Sequence, residues 1–514
     1  MLAQVFSATV YGIEGHIIKV ETDISAGMFS FSIVGLPDAA VKEARERVVA
    51  AIRNSGFDFY PRRIIVNLAP ADIKKEGVGF DLAIAIGVLL ATNQLKSEKV
   101  KRYAILGELA LDGTVNVVKG VLPIAIEVAK RKGELSGVIL PEGNKNEAAI
   151  VEGIEVIPVS SLTEAVKFLS GEAEITPVRV DINEVFTACS KYDVDFSEVR
   201  GQHFAKRAIT VAAAGAHNIL MIGPPGAGKT MLAKRIPTIL PPMTLDEAIE
   251  TTKIYSIAGL TEDNRGLIST RPFRAPHHTI SDVALIGGGT YPRPGEISLA
   301  HNGVLFLDEL LEFHRDVLES LRQPLEEGKV VISRATGSVT YPAKFMLVCA
   351  MNPCPCGYYG HPVKECKCTP FQIQKYLSKL SGPLLDRIDI QIEVPTVKIA
   401  DLHTDAGSSE SSSAEILARV ELAREIQYKR LKGYGILCNA HMSAKLVKQF
   451  CKINAESERF LETVMDKLGL SARAYERILK ISRTIADLDG RENIETKDIA
   501  EAIQYRHLDK RELI

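Results

Sequence analysis

Gly223-Pro224-Pro225-Gly226-Ala227-Gly228-Lys229-Thr230 stands between the apolar run Ile219–Ile222 and the helix-like run MLAKRI. A strand that enters a glycine-rich turn and leaves as a helix is the setting of a phosphate-binding loop. The glycines let backbone N–H groups turn toward phosphate oxygens, and the helix start adds partial positive charge. Lys229 is placed to reach the β- and γ-phosphates and Thr230 to hold Mg²⁺, so ATP with Mg²⁺ is the expected ligand. A glycine-rich loop alone is weak evidence. Eight positions matched between a strand and a helix are strong evidence.

The other parts of a hydrolytic site follow in order. Val304–Leu307 is a buried strand that ends on Asp308 and Glu309. Asp308 is positioned to complete the Mg²⁺ shell and Glu309 to polarise the attacking water; alone, the pair would read as a helix cap. The strand Phe345–Ala350 leads to Asn352, a polar residue suited to a place beside the γ-phosphate. Arg387 lies between Asp386 and Asp389. It reads either as a surface ion pair of ~0–1 kcal/mol or as an arginine finger for a neighbouring subunit. Arg473, in the first turn of a helix that starts at Ser471, reads either as a solvated arginine or as a lid arginine that senses the γ-phosphate.

The chain has 514 residues, 46% hydrophobic and 25% charged, with a net charge of −2. That length implies about three domains, and the composition is that of a soluble globular protein. The near-neutral charge excludes a chain that grips nucleic acid over its whole surface, so any DNA contact must be local. No apolar run is long enough to span a bilayer, and the N-terminal stretch lacks the pattern of a signal peptide. A cytoplasmic protein without membrane partners is expected.

Residues 1–170 read as mixed α/β, with strands at Val5–Val10, His16–Glu21, Ile64–Leu68 and Gly137–Leu140 and helices at Pro37–Ser55, Asp81–Ala91 and Val121–Lys132. Tyr103–Leu109 and Val115–Val118 flank the turn Asp112-Gly113, a hairpin signal. Periodicity fades over 171–195, a linker. Residues 196–395 alternate strand and helix as a parallel sheet does, and 396–514, opening with the polar loop Gly407–Ser413, are helical.

Cys354, Cys356, Cys366 and Cys368 form two C-x-C pairs separated by nine residues. Four thiolates at short spacing suit a tetrahedral zinc site, and free or redox-active thiols are the alternative. His361, inside the loop, is a possible substitute ligand. The remaining cysteines are scattered, as in a reducing compartment.

Taken together, VRGQHFAKRAITVAAAGAHNILMIGPPGAGKT, APHHTISDVALIGGG, GEISLAHNGVLFLDEL, MNPCPCGYYG and SARAYERILKISRTIADL resemble the YifB/ComM-type magnesium-chelatase-like AAA+ proteins over essentially the whole chain. The resemblance implies a Lon-protease-like domain over 1–170, a AAA+ core of the helix-2-insert clade over 196–395 and a helical lid over 396–514. It also implies an insert at Arg271–Gly303, with Arg271, Arg274, His277 and His278, and a hairpin at Val330–Tyr341 flanked or occupied by Lys329 and Arg334. In ring-shaped relatives such loops line a pore, so Lys329 and Arg334 become candidates for DNA contact, against solvated loop charge. A homo-oligomeric ring, of six subunits by this resemblance, and DNA helicase or branch-migration activity are the expectation. Protein remodelling and a metal-chelatase motor are the alternatives. The Lon-like block offers no Ser in KKEGVGFDLAIAIG, and where the base should stand Lys119 precedes and Lys130 follows the expected place, with only apolar residues and Glu127 between, so no protease chemistry is expected.

Overall fold

The computed structural model describes residues 2–506 apart from 76, 78, 183–185, 187–191, 262–265, 290–291, 335–336 and 397–410. The N-terminal block is built on strands β1 (Leu2–Tyr11), β2 (Glu14–Ser25), β3 (Ser30–Val34), β4 (Arg63–Ala69), β5 (Tyr103–Ile105), β8 (Gly137–Pro141) and β9 (Glu155–Val159), with the small antiparallel pair β6 (Glu108–Leu109) and β7 (Val115–Asn116) beside them. They form one seven-stranded sheet in the order β3-β4-β2-β1-β5-β8-β9. Side chains alternate between its faces. Val5, Ile18 and Val20 join the cluster under helices Ala39–Asn54 and Asp81–Ala91, while Phe6, Ala8 and Ile17 join the one under helix Val121–Lys130. Helix Ala39–Asn54 starts where Asp38 accepts the Val41 N–H, and it buries Val41, Ala44, Val48, Ala51 and Ile52 at helical spacing.

The second sheet contains β10 (Ile219–Ile222), β11 (Phe273–Arg274), β14 (Val304–Leu307), β17 (Met346–Met351) and β18 (Ile390–Glu393). Its order is β11-β14-β17-β10-β18 and every pairing is parallel. Both faces are covered, which explains the unbroken apolar runs. Ile219, Met221, Val304 and Phe306 face one core; Leu220, Ile222, Leu305 and Leu307 face the other. Between β11 and β14 lies a small hairpin of β12 (Gly287–Gly288) and β13 (Arg293–Pro294). Between β14 and β17 lies β15 (Lys329–Arg334) paired with β16 (Gly337–Pro342).

The hairpin falls where the resemblance placed it, but the insert does not. Phe273–Arg274 is an edge strand of the main sheet, paired with Val304–Leu305, so the inserted chain begins after it. Nor is Arg271 a free loop charge. It is half-buried and donates to the carbonyls of Pro241 (2.5 Å) and Asn302 (2.7 Å) and to Glu247. Arg274 is held in a two-pronged pair with Glu296 at 2.6 and 2.7 Å.

The helices Ser413–Leu431, Ala444–Phe450, Ala455–Leu468, Ala472–Leu488 and Thr496–Gln504 follow. They share a continuous core with one face of the parallel sheet, through Val420, Ile478, Ile485 and Ile499 against Ala212, Ile219 and Ile390. The stretch 171–195 is tied down at two of its described residues: the Val178 N–H bonds the Val156 carbonyl, and the Tyr192 hydroxyl accepts the Arg271 N–H. The polar run Gly407–Ser413 lies outside the described residues as far as 410.

Among the described residues, the N-terminal block touches the parallel-sheet unit at its helix Val121–Lys130 and at its β1–β2 turn. Gly120 N–H donates to Ser256 at 3.1 Å, above a buried cluster of Leu122, Ile150, Met243, Ala248 and Leu267. The β1–β2 turn reaches the β15–β16 hairpin, with Tyr11 Oη 3.5 Å from the Ser338 carbonyl and Gly12 seated close against Val339.

Candidate active site

In the parallel sheet the strand order reverses beside β10, with β17 on one flank and β18 on the other. Ligands of open α/β sheets sit at the carboxyl ends of the strands at such a point. The loop Gly223–Gly228 leaves the end of β10 there, tied back by the Gly223 N–H to Met351 of β17 at 3.2 Å. Gly226 (φ 79°) and Gly228 (φ 85°) take the left-handed backbone that makes the loop possible.

The side chains converge on this edge. Lys229 Nζ donates to the carbonyls of Gly223 (2.6 Å) and Pro224 (3.0 Å) and to Asn352 Oδ1 (3.2 Å). Burial pulls the Lys229 ammonium below its ordinary range, opposed by the charges of Asp308 and Glu309. Thr230 Oγ1 donates to Asp308 Oδ2 at 2.6 Å, so a hydroxyl and a carboxylate meet where a hard cation would need oxygen donors. Asp308 Oδ1 in turn accepts the Glu309 N–H at 2.9 Å. Glu309 occupies a left-handed conformation, φ 52°, and its carboxylate is left largely exposed at the mouth of the site. Strain of this kind in a non-glycine residue costs ~1–3 kcal/mol and clusters at functional positions.

Two neighbours of this cluster were not placed at the site by sequence reasoning: Gln202, and His278, which was assigned to the insert. His278 places Nδ1 3.5 Å from Glu309 Oε2, with its ring against His277 and Phe313. The signal lay in APHHT, where nothing in the spacing reveals which histidine turns inward. Gln202 donates to the carbonyls of Pro395 (2.6 Å) and Ala227 (3.4 Å), closing the loop from the side.

Arg387 and Arg473 are elsewhere. The Arg387 carbonyl is held by Asn218 Nδ2 at 2.9 Å, at the amino end of β10, so roughly 13 Å of strand separates it from the phosphate loop. Its guanidinium is mostly covered, donating to Pro383 O at 2.5 Å and pairing with Glu326. Arg473, exposed on the first turn of helix Ala472–Leu488, donates to Asp386 at 2.8 Å. The two arginines therefore share the edge opposite their own phosphate loop.

Of the hairpin candidates, Arg334 is exposed beside the tip, while Lys329 is at the base, 3.6 Å from Glu327. The four clustered cysteines do come together, their Sγ atoms all within 4.8 Å of one another. The Tyr358 backbone N–H draws the Cys356 thiol down to about 6. His361 is not among them: its Nδ1 accepts the N–H groups of Val363 and Lys364. In the N-terminal block Gly79 stands within the stretch where a nucleophile would be, against Val118, and Leu122, in the helix expected to carry a base, is buried in an apolar cluster.

A five-stranded parallel sheet with this strand order, phosphate loop and acid-ended neighbouring strand defines a AAA+ nucleotide-binding core. Comparison with known proteins narrows the class. The profile described as magnesium chelatase, subunit ChlI, matches residues 195–402, that described as subunit ChlI of Mg-chelatase matches 20–144, and the ChlI C-terminal profile matches 410–506. Competence protein ComM of Haemophilus influenzae is 46% identical over 98% of this chain and 97% of its own length. YifB of Escherichia coli is 42% identical over 99% and 98%. The magnesium-chelatase 38 kDa subunit of Rhodobacter capsulatus is 28% identical over 31% of this chain and half of its own. The chain belongs to the ComM/YifB family of magnesium-chelatase-like AAA+ proteins. Among the described residues no helix is long and apolar enough to cross a membrane.

Proposed function

We propose that this protein is a cytoplasmic, ATP-hydrolysing ring motor that acts on DNA, with helicase or branch-migration activity in recombination or transformation. The observation that carries the hydrolytic part is the convergence of Lys229, Thr230, Asp308, Glu309 and Asn352 at one sheet edge. Thr230 and Asp308 would hold Mg²⁺, which when bound would neutralise charge developing on the phosphates. Lys229 gives up its bonds to loop carbonyls for the β- and γ-phosphates. Glu309 orients the attacking water and takes its proton, and Asn352 fixes the γ-phosphate side.

The oligomeric part is supported by the placement of Arg387 and Arg473 on the opposite edge, where a neighbour's nucleotide is within their reach and their own is not. Six such subunits close a ring. DNA as the substrate is supported by the exposed Arg334 on a hairpin beside the glycine-rich β12–β13 turn, and by the competence protein named above as a relative. ATP and Mg²⁺ are the cofactors, with the four-thiol cluster as the place for a zinc ion that takes no part in the chemistry. The N-terminal block is a Lon-like fold without peptidase activity. The seven-stranded block also suits a second reading, in which unfolded protein is the substrate; a metal-chelatase motor is the third.

Purified protein tested for ATPase stimulation and strand displacement decides between them. Stimulation by forked or single-stranded DNA, with branch migration that disappears in Lys229→Ala, is the expected result. Stimulation by unfolded protein and none by DNA would replace this reading with the second.

A further inference from the structure

The chain that leaves β17 turns back onto the phosphate loop. At Gly357, φ 83°, a Cβ atom would come within 2.6 Å of Pro225 Cδ and 2.9 Å of Pro225 Cγ. The turn that carries Cys354 and Cys356 is therefore the wall behind the second proline of the loop. From Asn352 to Thr369 this wall contains neither helix nor strand. Cys354 is buried, and Tyr359 donates its N–H to Cys354 Sγ at 3.3 Å.

The Sγ atoms of Cys354, Cys356 and Cys366 are 3.4, 3.7 and 3.6 Å apart, and Cys368 completes the set. A tetrahedral zinc ion with bonds of about 2.3 Å needs sulfur–sulfur edges of about 3.8 Å. A disulfide would bring two of them to about 2.0 Å. An all-sulfur donor set is soft and excludes Mg²⁺ and Ca²⁺. A stretch this long without regular structure needs such a cross-link to hold one shape.

We propose that Cys354, Cys356, Cys366 and Cys368 bind one Zn²⁺ as a closed structural site, and that the resulting knuckle seats the phosphate loop through Gly357 against Pro225, so that nucleotide affinity depends on metal occupancy. The role of the knuckle rests on the reading of the loop as the ATP site. Binding releases the protons still held by the four thiols. Loss of the ion frees the wall, and the loop must then be ordered by nucleotide itself, at a cost of about tenfold in affinity.

The experiment uses the full chain, elemental analysis and a fluorescent N-methylanthraniloyl ATP as probe. Wild-type protein is compared with chelator-stripped and zinc-reloaded protein, with Cys366→Ser/Cys368→Ser, and with Gly357→Ala, which keeps all four ligands. One zinc per chain, probe affinity about tenfold weaker after stripping and restored by zinc, and a similar loss in zinc-replete Gly357→Ala are expected. Metal-free protein with four titratable thiols overturns the site. Stripped, folded protein that binds the probe as tightly as before overturns the coupling, as does Gly357→Ala with unchanged affinity. Zinc-loaded wild type that binds no probe removes the nucleotide site, and the coupling with it.

Discussion

The carboxyl edge of the five-stranded sheet and its amino edge carry charged groups under different rules. At the carboxyl edge, Lys229, Thr230, Asp308 and Asn352 bond to one another and to the loop, in an arrangement one chain completes alone. At the amino edge, Arg387 and Arg473 are matched by acids of the same chain, Glu326 and Asp386, yet they face no phosphate site of that chain. Under the proposed function, the described residues put no arginine beside the chain's own phosphate loop and put Arg387 and Arg473 at the other edge, a division that works when copies are placed edge to edge.

The sharpest way to break this comparison is Arg387→Ala. Loss of an arginine finger costs about 10³–10⁵ in turnover, with nucleotide affinity unchanged in direct binding. Mixing it with Lys229→Ala should restore turnover, because each variant supplies what the other lacks; failure to complement, or a fully active monomer, would end the two-edge division. Next in size is Glu309→Gln, expected to slow hydrolysis by about 10²–10⁴ while retaining ATP, as followed by single-turnover kinetics. A smaller effect, about tenfold in kcat at unchanged nucleotide affinity, is expected for His278→Ala, since His278 orients Glu309 without contacting phosphate; His278→Asn should recover part of it. Equal loss in both His278 variants would make the ring's packing its whole role. Smallest in basal rate is Arg334→Ala, which should leave DNA-free hydrolysis intact and lower the salt slope of DNA binding by about one.

The carboxyl edge was legible in the sequence because its parts are contiguous or sit at strand ends. Gly223–Thr230, Asp308-Glu309 and Asn352 each follow an apolar run that announces a buried strand. The two C-x-C pairs were legible for the same local reason, whereas the hairpin was placed by the family resemblance. What stayed hidden depends on contacts distant in sequence. Phe273–Arg274 is too short for a pattern and is a strand only because β14 lies beside it. Arg271 looks like loop charge until Pro241 and Asn302 close over it. β3 and β9, the outer strands of the N-terminal sheet, also escaped: β3 is mostly exposed, and β9 has a proline in its run. His278 and Glu309 are brought together only by tertiary packing.

The seat of the β1–β2 turn on the β15–β16 hairpin bears on how the chain may be divided. Val339 is covered on one side by Gly12, and Ile13 packs with the cluster that holds Ile332 and Tyr341. An ATPase fragment begun after the first sheet would uncover this apolar spot at the root of the hairpin, together with the Leu122-facing surface of Met243 and Ala248. The N-terminal block thus serves as a cover for apolar surface of the parallel-sheet unit, and the two cannot be parted without wetting it.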